Sequence, residues 1–285
     1  MEWKDNKYDL INWVKCNDKL HNLNSTLVMG VLNVTPDSFY EDSRKGDFDE
    51  SISQVHKMIK EGVDIIDVGG VSTRPNADLL SSKEEMKRVI PVISEISKLF
   101  PDILISIDTF RADVAREAIG AGAHIINDVY GGRFDDNMFD AVAELDVPYI
   151  LMHSRGDARN MQDLTNYKDV ISTVCLELSI SIQKLRSKGV KDIIIDPGFG
   201  FAKTLDQNYE LLEGLQYLEV LNCPILVGIS RKSMIYNLLN SSPLAALTGT
   251  IVLNTVGVLK NASIIRVHDV EEAAEVKKLL SALKN

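Results

Sequence analysis

The chain has 285 residues and a net charge of −10, with 45% hydrophobic and 25% charged residues. That balance is ordinary for a globular protein, and it leaves no basic stripe to offset nucleic-acid phosphates, so a general nucleic-acid binder is excluded. Cys16, Cys175 and Cys223 are scattered, which argues against a zinc or dithiol motif and for thiols in a reducing compartment. The opening MEWKDNKYDLINW has no continuous apolar core, and no run approaches the ~20 residues of a membrane span. A cytoplasmic protein is expected.

Residues 1–25 stand outside the pattern that follows. Asp9–Lys15 and Asn17–Leu23 suggest a strand and its return, a hairpin capping the underside of the fold. The first strand of a repeat is Leu27–Val34, followed by a polar stretch, Thr35–Asp49. In Glu50–Glu61, Ile52, Val55, Met58 and Ile59 recur at helical spacing. The strand Asp64–Gly69 and the loop Gly70–Ser82 lead to a helix over Lys83–Phe100. Leu104–Thr109 precedes a helix over Arg111–Gly120, and His124–Val129 precedes one over Phe134–Leu145. Pro148–His153 is followed by a polar loop and a helix over Lys168–Lys188. Ile193–Gly198 precedes Asn208–Leu221, and Pro224–Ser230 precedes Lys232–Leu239 and Pro243–Leu259. Ile264–Asp269 and Glu271–Leu283 close the chain.

Eight strands alternating with helices, with no linker between them, imply parallel pairing and one closed α/β barrel of the (β/α)8 TIM type over residues 26–285. Such a barrel takes about 250 residues, and its active site lies at the C-terminal ends of the strands. Polar residues gather there: Asn33, Asp67, Asp108, Asn127, Asp128, His153, Asp196, Ser230, Arg266 and His268.

Several of these have a chemical reading beside a structural one. Asp196, in IIIDPGFGF, can accept two parallel N–H bonds from the edge of a flat heterocycle, or it can cap the turn behind it. Asp108, in SIDTF, either faces the site or caps the next helix. Asn127 can both donate and accept. Arg266 and His268 lie two apart on one strand and so share a face; with Lys232 they make a cationic pocket for an anion. An ion pair in the barrel wall and a hydrogen-bonded structural histidine are their alternatives. The side-chain carbonyl of Asn33 can ligate Mg²⁺, or it can close a local turn. Thr73 and Arg74 offer another hydroxyl and cation. No Ser/His/Asp or Cys/His set suggests a protein nucleophile.

Taken together, MGVLNVTPDSF, GGVSTRP, SIDTF, IINDV, IDPGFGF, SRKSM and IIRVHDV, spread from residue 29 to 270, resemble the dihydropteroate synthase family. The resemblance implies condensation of 6-hydroxymethyl-7,8-dihydropterin diphosphate with 4-aminobenzoate, with release of diphosphate, in folate synthesis. It implies that Asp108, Asn127, Met152, Asp196, Phe201 and Lys232 bind the pterin. Asn33, Thr73, Arg74, Arg266 and His268 would serve the diphosphate, with Asn33 on Mg²⁺, and Phe39, Pro75 and Ser233 the aminobenzoate region. Asp108, Asp37, Lys232 and Arg266 would carry the catalysis. A homodimer is implied as well. A pterin-dependent methyltransferase barrel would share the ring pocket but needs no diphosphate site, so Asn33, Arg266 and His268 favour the synthase. The sequence departs from the family pattern at Val71, where an acid is usual, and at Asn76, Glu41-Asp42-Ser43 and Ala245-Ala246-Leu247.

Overall fold

The computed structural model describes residues 13–16, 19–23, 25–34, 41–71, 80–157 and 160–283. Two short antiparallel strands, β1 (Trp13–Cys16) and β2 (Lys19–Asn22), form a hairpin. Eight parallel strands follow: β3 (Leu27–Asn33), β4 (Ile65–Gly69), β5 (Leu104–Asp108), β6 (Ile125–Asp128), β7 (Tyr149–Met152), β8 (Ile193–Asp196), β9 (Leu226–Val227) and β10 (Ile264–Val267). They pair in the order β8-β7-β6-β5-β4-β3-β10-β9. A parallel bridge between Ile195 and Ile225 joins the two ends, so the sheet closes into a barrel.

The strands are buried on both faces, as parallel strands are, which is why they read as apolar runs rather than alternations. Residues two apart point to the same side, and the interior is therefore layered. Its lowest ring takes Met29, Ile65, Leu104, Ile125, Ile150, Ile194, Leu226 and Ile264, one from each strand. Val14, Cys16 and Leu23, from the hairpin and the residue that follows it, join this ring in one buried cluster. Two positions higher stand Asp67, Ser106, Asn127, Met152, Asp196, Gly228 and Arg266. On β4, β5, β6, β8 and β10 the interior changes from hydrocarbon to polar within that one step, while Val31 on β3 and Met152 on β7 stay apolar.

Helices α1 (Glu41–Glu61), α2 (Ser82–Leu99), α3 (Ala112–Gly120), α4 (Met138–Leu145), α5 (Val170–Ser187), α6 (Leu205–Glu213), α7 (Ser233–Tyr236), α8 (Leu247–Leu259) and α9 (Val270–Leu283) surround the strands. Several bounds differ from the expectation. The first helix starts at Glu41 rather than Glu50, because its early turns are polar and carry no apolar period. The helix expected over Asn208–Leu221 ends at Glu213, and Leu215–Leu221 is a 3₁₀ segment. Gly214 separates them, packed so closely on Ile171 that a side chain there would clash. The helix expected over Lys232–Leu239 is a single turn, Ser233–Tyr236. Pro243–Ala245 is a 3₁₀ turn before α8 rather than part of it.

Candidate active site

Register lines up the polar strand ends. Asn33 pairs with Gly69, Gly69 with Asp108, and Asp108 with Asn127, while Met152 pairs with Asp196. The ends of six strands therefore meet at one mouth with Arg266 of β10.

Arg266 is the hub of one flank. Its Nε donates to Asp67 Oδ2 at 2.6 Å, and its Nη2 donates to Asp108 Oδ2 at 2.6 Å. Asn127 Nδ2 donates to the same Asp67 oxygen at 3.0 Å. Burial works against the Arg266 charge, but Asp67 and Asp108 more than offset it and raise its pKa. Burial also pushes Asp108 up to about 7, although the Arg266 guanidinium pulls the other way; Asp67 adds to the rise. The helix-capping alternative for Asp108 is not what the fold uses. The first free N–H of α3, that of Ala112, is met by Asp135 Oδ2 at 2.8 Å, which leaves Asp108 to the mouth.

Asp196 lies on the other flank and is 5% exposed. Its Oδ1 accepts from the Gly198 N–H at 2.7 Å, so it does brace the following turn. Its Oδ2 looks across the barrel: a β-carbon placed on Gly228 would stand 3.7 Å from that oxygen and 3.8 Å from Lys232 Nζ. Gly228 thus keeps open the space between Asp196 and Lys232. Burial raises the Asp196 carboxyl above the usual range, and the Lys232 and Arg266 charges oppose that rise. Lys232 donates to Phe199 O at 2.6 Å and lies over the Phe201 ring at 4.9 Å. Burial pushes it down to about 8.

Phe110, Val129, Tyr130 and Met152 form a separate buried cluster at the mouth, with Val71 and Phe201 packed on it. A slot results, with hydrocarbon and aromatic walls and with Asp196, Lys232 and Asn127 at its polar edges. Such a slot suits a flat, hydrogen-bonding ring.

His268 is exposed at the end of β10. Its Nδ1 lies 3.1 Å from Ser230 Oγ, and its own N–H donates to that hydroxyl at 3.2 Å. Where the serine proton goes to Nδ1, the imidazole proton sits on Nε2. Desolvation and the Arg266 charge hold His268 down to about 4, so it is neutral near pH 7. Asn33 is exposed at the end of β3, the strand that pairs with β10. Ser233 opens α7, one residue beyond Lys232. Asp37, Phe39, Thr73, Arg74 and Pro75 lie outside the described residues. Among the described residues no group of three or more His, Cys, Asp or Glu side chains is placed to hold a metal ion.

Three further residues belong to this mouth. Asp67 stood in a strand as one more polar residue, and its partner is 199 positions away. Ser106, buried, joins it from β5. Lys203 is 4% exposed behind the Gly198–Phe201 turn, where a lysine after a glycine-rich loop reads as solvated.

A ring slot and a cationic rim at the strand ends of a (β/α)8 barrel define a pterin-binding enzyme, and residues 29–268 match the family described as pterin binding enzyme. The chain is 43% identical to the dihydropteroate synthase of Clostridium beijerinckii over 257 residues, 89% of this chain and 93% of that protein. It superposes with a TM-score of 0.89 on the Yersinia pestis dihydropteroate synthase solved with a sulfonamide drug, at 36% identity, over 95% of this chain and 99% of that one. The Xanthomonas albilineans enzyme, solved with 4-aminobenzoic acid, gives a TM-score of 0.88 at 35% identity, over 96% and 98%. The chain belongs to the dihydropteroate synthase family, transferases of folate biosynthesis.

Proposed function

We propose that this barrel, residues 26–285, joins 6-hydroxymethyl-7,8-dihydropterin diphosphate to 4-aminobenzoate at the single mouth described above, with the hairpin of the 1–25 extension, Trp13–Cys16 and Lys19–Asn22, closing the opposite end. The observation that carries this reading is the common mouth of Asp196, Asn127 and Arg266. The ring enters the slot between Met152 and Phe201. Its amino-pyrimidine edge donates to Asp196, Asn127 meets its mixed edge, and Lys232 donates to it. The diphosphate leaves on the Arg266–His268 side, where Arg266 and the Nε2–H tautomer of His268 offer donors. Thr73 and Arg74 belong to the same anion side, and Phe39, Pro75 and Ser233 to the aminobenzoate entrance.

The chemistry follows from charge. The C–O bond to diphosphate breaks, and the electron-rich ring carries the positive charge left on its methylene. Asp108, and Asp37 from the first loop, stabilise that cation. The aniline nitrogen then attacks the methylene and loses its proton. Fixed donors aimed at the departing charge act strongly in a dry site, and closure of the loops excludes the competing water.

Mg²⁺ fits this mouth as an ion brought with the substrate. It prefers oxygen ligands and retains waters; Asn33 supplies a neutral oxygen donor, and the diphosphate supplies the negative charge that the described residues do not cluster there. When bound, the ion neutralises charge on the leaving diphosphate.

A homodimer through the α8 face accounts for a further feature. Helix α8 has no charged residue, and Val252 and Leu259 on it, with Leu244 just before it, are exposed; an apolar face of this kind fits a second copy of the chain. Among the described residues, no helix is long and apolar enough to cross a membrane. Free Cys16, Cys175 and Cys223 support a cytoplasmic setting.

The test is diphosphate release from the pterin diphosphate, with and without 4-aminobenzoate. Release that depends on 4-aminobenzoate, with 7,8-dihydropteroate as product, supports the reading. Ring binding without turnover overturns it in favour of a binding protein.

A further inference from the structure

The turn that follows Asp196 is built from backbone that an L-residue chain adopts with difficulty. Gly198 has φ +72°, Gly200 +81° and Ala202 +49°. Its polar backbone groups are met by side chains brought from four places. Asp196 Oδ1 accepts from Gly198 N. Asn208 Oδ1 accepts from Gly200 N at 2.7 Å. Lys232 Nζ donates to Phe199 O. Lys203 Nζ donates to Gly198 O at 3.0 Å and to Phe201 O at 3.1 Å, and its third donor faces His153 Nδ1 at 3.1 Å.

The last contact fixes a chain of polarity. If Nδ1 of His153 accepts from the ammonium, its Nε2 carries the proton and donates to Glu177 Oε2 at 3.0 Å. Glu177 is held in turn by Arg155, which stacks on Tyr167. Burial holds His153 down to about 4, so the ring is the neutral acceptor Lys203 requires. An ammonium is seldom buried to this degree without a task, since its transfer from water is costly. In the ammonium form all three of its protons have acceptors, none of them a carboxylate, and burial pushes its pKa down to about 7.

We propose that Lys203 is a positioning residue of the ring site: its ammonium locks the Gly198–Phe201 turn that carries the slot wall, and its positive charge adds to those of Lys232 and Arg266 around the Asp196 carboxylate that accepts the ring's N–H groups. This rests on the reading of Asp196 as the ring's partner. The charged and titratable groups facing Lys203 are Asp196 from β8, Lys232 beyond β9, His153 and Arg155 beyond β7, and Glu177 from α5. Asp196 is the acid among them that lies in the slot. Removing the Lys203 charge therefore moves the Asp196 proton equilibrium toward higher pH.

The experiment measures the affinity for 6-hydroxymethyl-7,8-dihydropterin, without diphosphate, by calorimetry across pH 5–9 in the intact protein, Lys203→Met, Lys203→Arg and Asp196→Asn. Thermal midpoints confirm that each variant is folded. In Lys203→Met the dissociation constant at pH 7 rises about tenfold, the order of one charge-assisted hydrogen bond, and the acid-side loss of affinity begins at a higher pH than in the parent. In Lys203→Arg, which keeps the charge, that acid limb stays where it was. A Lys203→Met limb that coincides with the parent's, or one displaced equally in Lys203→Arg, assigns Lys203 a packing role and overturns the proposal. If Lys203→Met does not fold, the ¹⁵Nζ resonance of Lys203 in the unaltered protein, told apart from that of Lys232 by Lys232→Met, gives the answer. Bound ring fixes Asp196 as a carboxylate, so the Lys203 titration moves upward on binding; no movement, or a downward one, overturns the proposal. If Asp196→Asn binds the ring as the parent does, the Asp196 reading falls and this proposal with it. If Asp196→Asn loses the ring while Lys203→Met keeps the parent's profile, the Lys203 proposal falls alone.

Discussion

Arg266 and Asp67 come from strands on either side of β3, and they meet with Nε 2.6 Å from Oδ2. Asp67 has no exposed side-chain surface, and the same oxygen also accepts from Asn127. One carboxyl oxygen thus ties β4, β6 and β10 together beneath the ring slot. Its other oxygen, Oδ1, and Ser106 Oγ from β5 have no hydrogen-bond partner among the described residues.

Asp67→Ala removes the acceptor for a buried guanidinium and for a buried amide. Arg266 keeps Asp108 as a partner, so the cost falls below the ~3 kcal/mol of breaking an isolated buried pair, and the Asn127 amide adds the ~1–3 kcal/mol of a buried donor left unmet. Urea unfolding of Asp67→Ala therefore shows a midpoint far below the parent's. Asp67→Asn, which keeps an acceptor oxygen in place, falls between the two.

Gly198→Ala and Gly200→Ala have unequal effects, although both glycines have positive φ. A β-carbon at Gly198 would stand 1.8 Å from His153 O, whereas at Gly200 the nearest atom is Lys232 Cδ at 3.4 Å. Gly200→Ala carries only the backbone term, about 1–2 kcal/mol. Gly198→Ala must displace the His153 backbone just past β7 as well, and its thermal midpoint drops well below that of Gly200→Ala. Equal midpoints would show that the turn is free to move.

His153 gives stability a pH dependence of known sign. Its folded pKa is held down to about 4, while an unfolded histidine titrates near ~6.5. The unfolded chain thus binds the extra proton between those values, and stability is fully present above that window and lost as pH falls through it. Asp108, pushed up to about 7, works the opposite way, losing stability as pH rises from the ordinary carboxylate range. His153→Gln keeps an acceptor for Lys203 and a donor for Glu177 but cannot titrate. Its unfolding free energy falls less steeply than the parent's between pH 6.5 and 4, by up to about 1.4 kcal/mol per pH unit. Parallel curves would place the His153 proton equilibrium elsewhere.

Asn33→Ala raises the Mg²⁺ concentration needed for half-maximal turnover several-fold and leaves ring affinity without diphosphate unchanged. An unchanged metal titration removes Asn33 from the ligand set.

Much of this site was legible in the sequence, because burial on both faces makes each barrel strand an apolar run and leaves its polar end conspicuous. Asp108, Asn127, Asp196 and Arg266 were found that way. Their pairing was not, since the Arg266–Asp67 and Arg266–Asp108 bonds join residues 199 and 158 positions apart. Lys203 was missed for a different reason. Its burial depends on a turn whose shape comes from Asn208, His153 and Lys232, none of them near it in any periodic pattern. Early α1 and the short α7 escaped because polar or single-turn helices have no amphipathic signal.

Under the proposed function, one mouth holds the ring on the Asp196 flank and the diphosphate on the His268 flank. Calorimetry compares 6-hydroxymethyl-7,8-dihydropterin with its diphosphate, the latter with Mg²⁺, in the parent, Asp196→Asn and His268→Gln. Asp196→Asn weakens both ligands at least about tenfold, the order of a hydrogen bond to a charged group, and His268→Gln weakens the diphosphate alone. Parent-like affinity of Asp196→Asn for both ligands would overturn the proposed ring site.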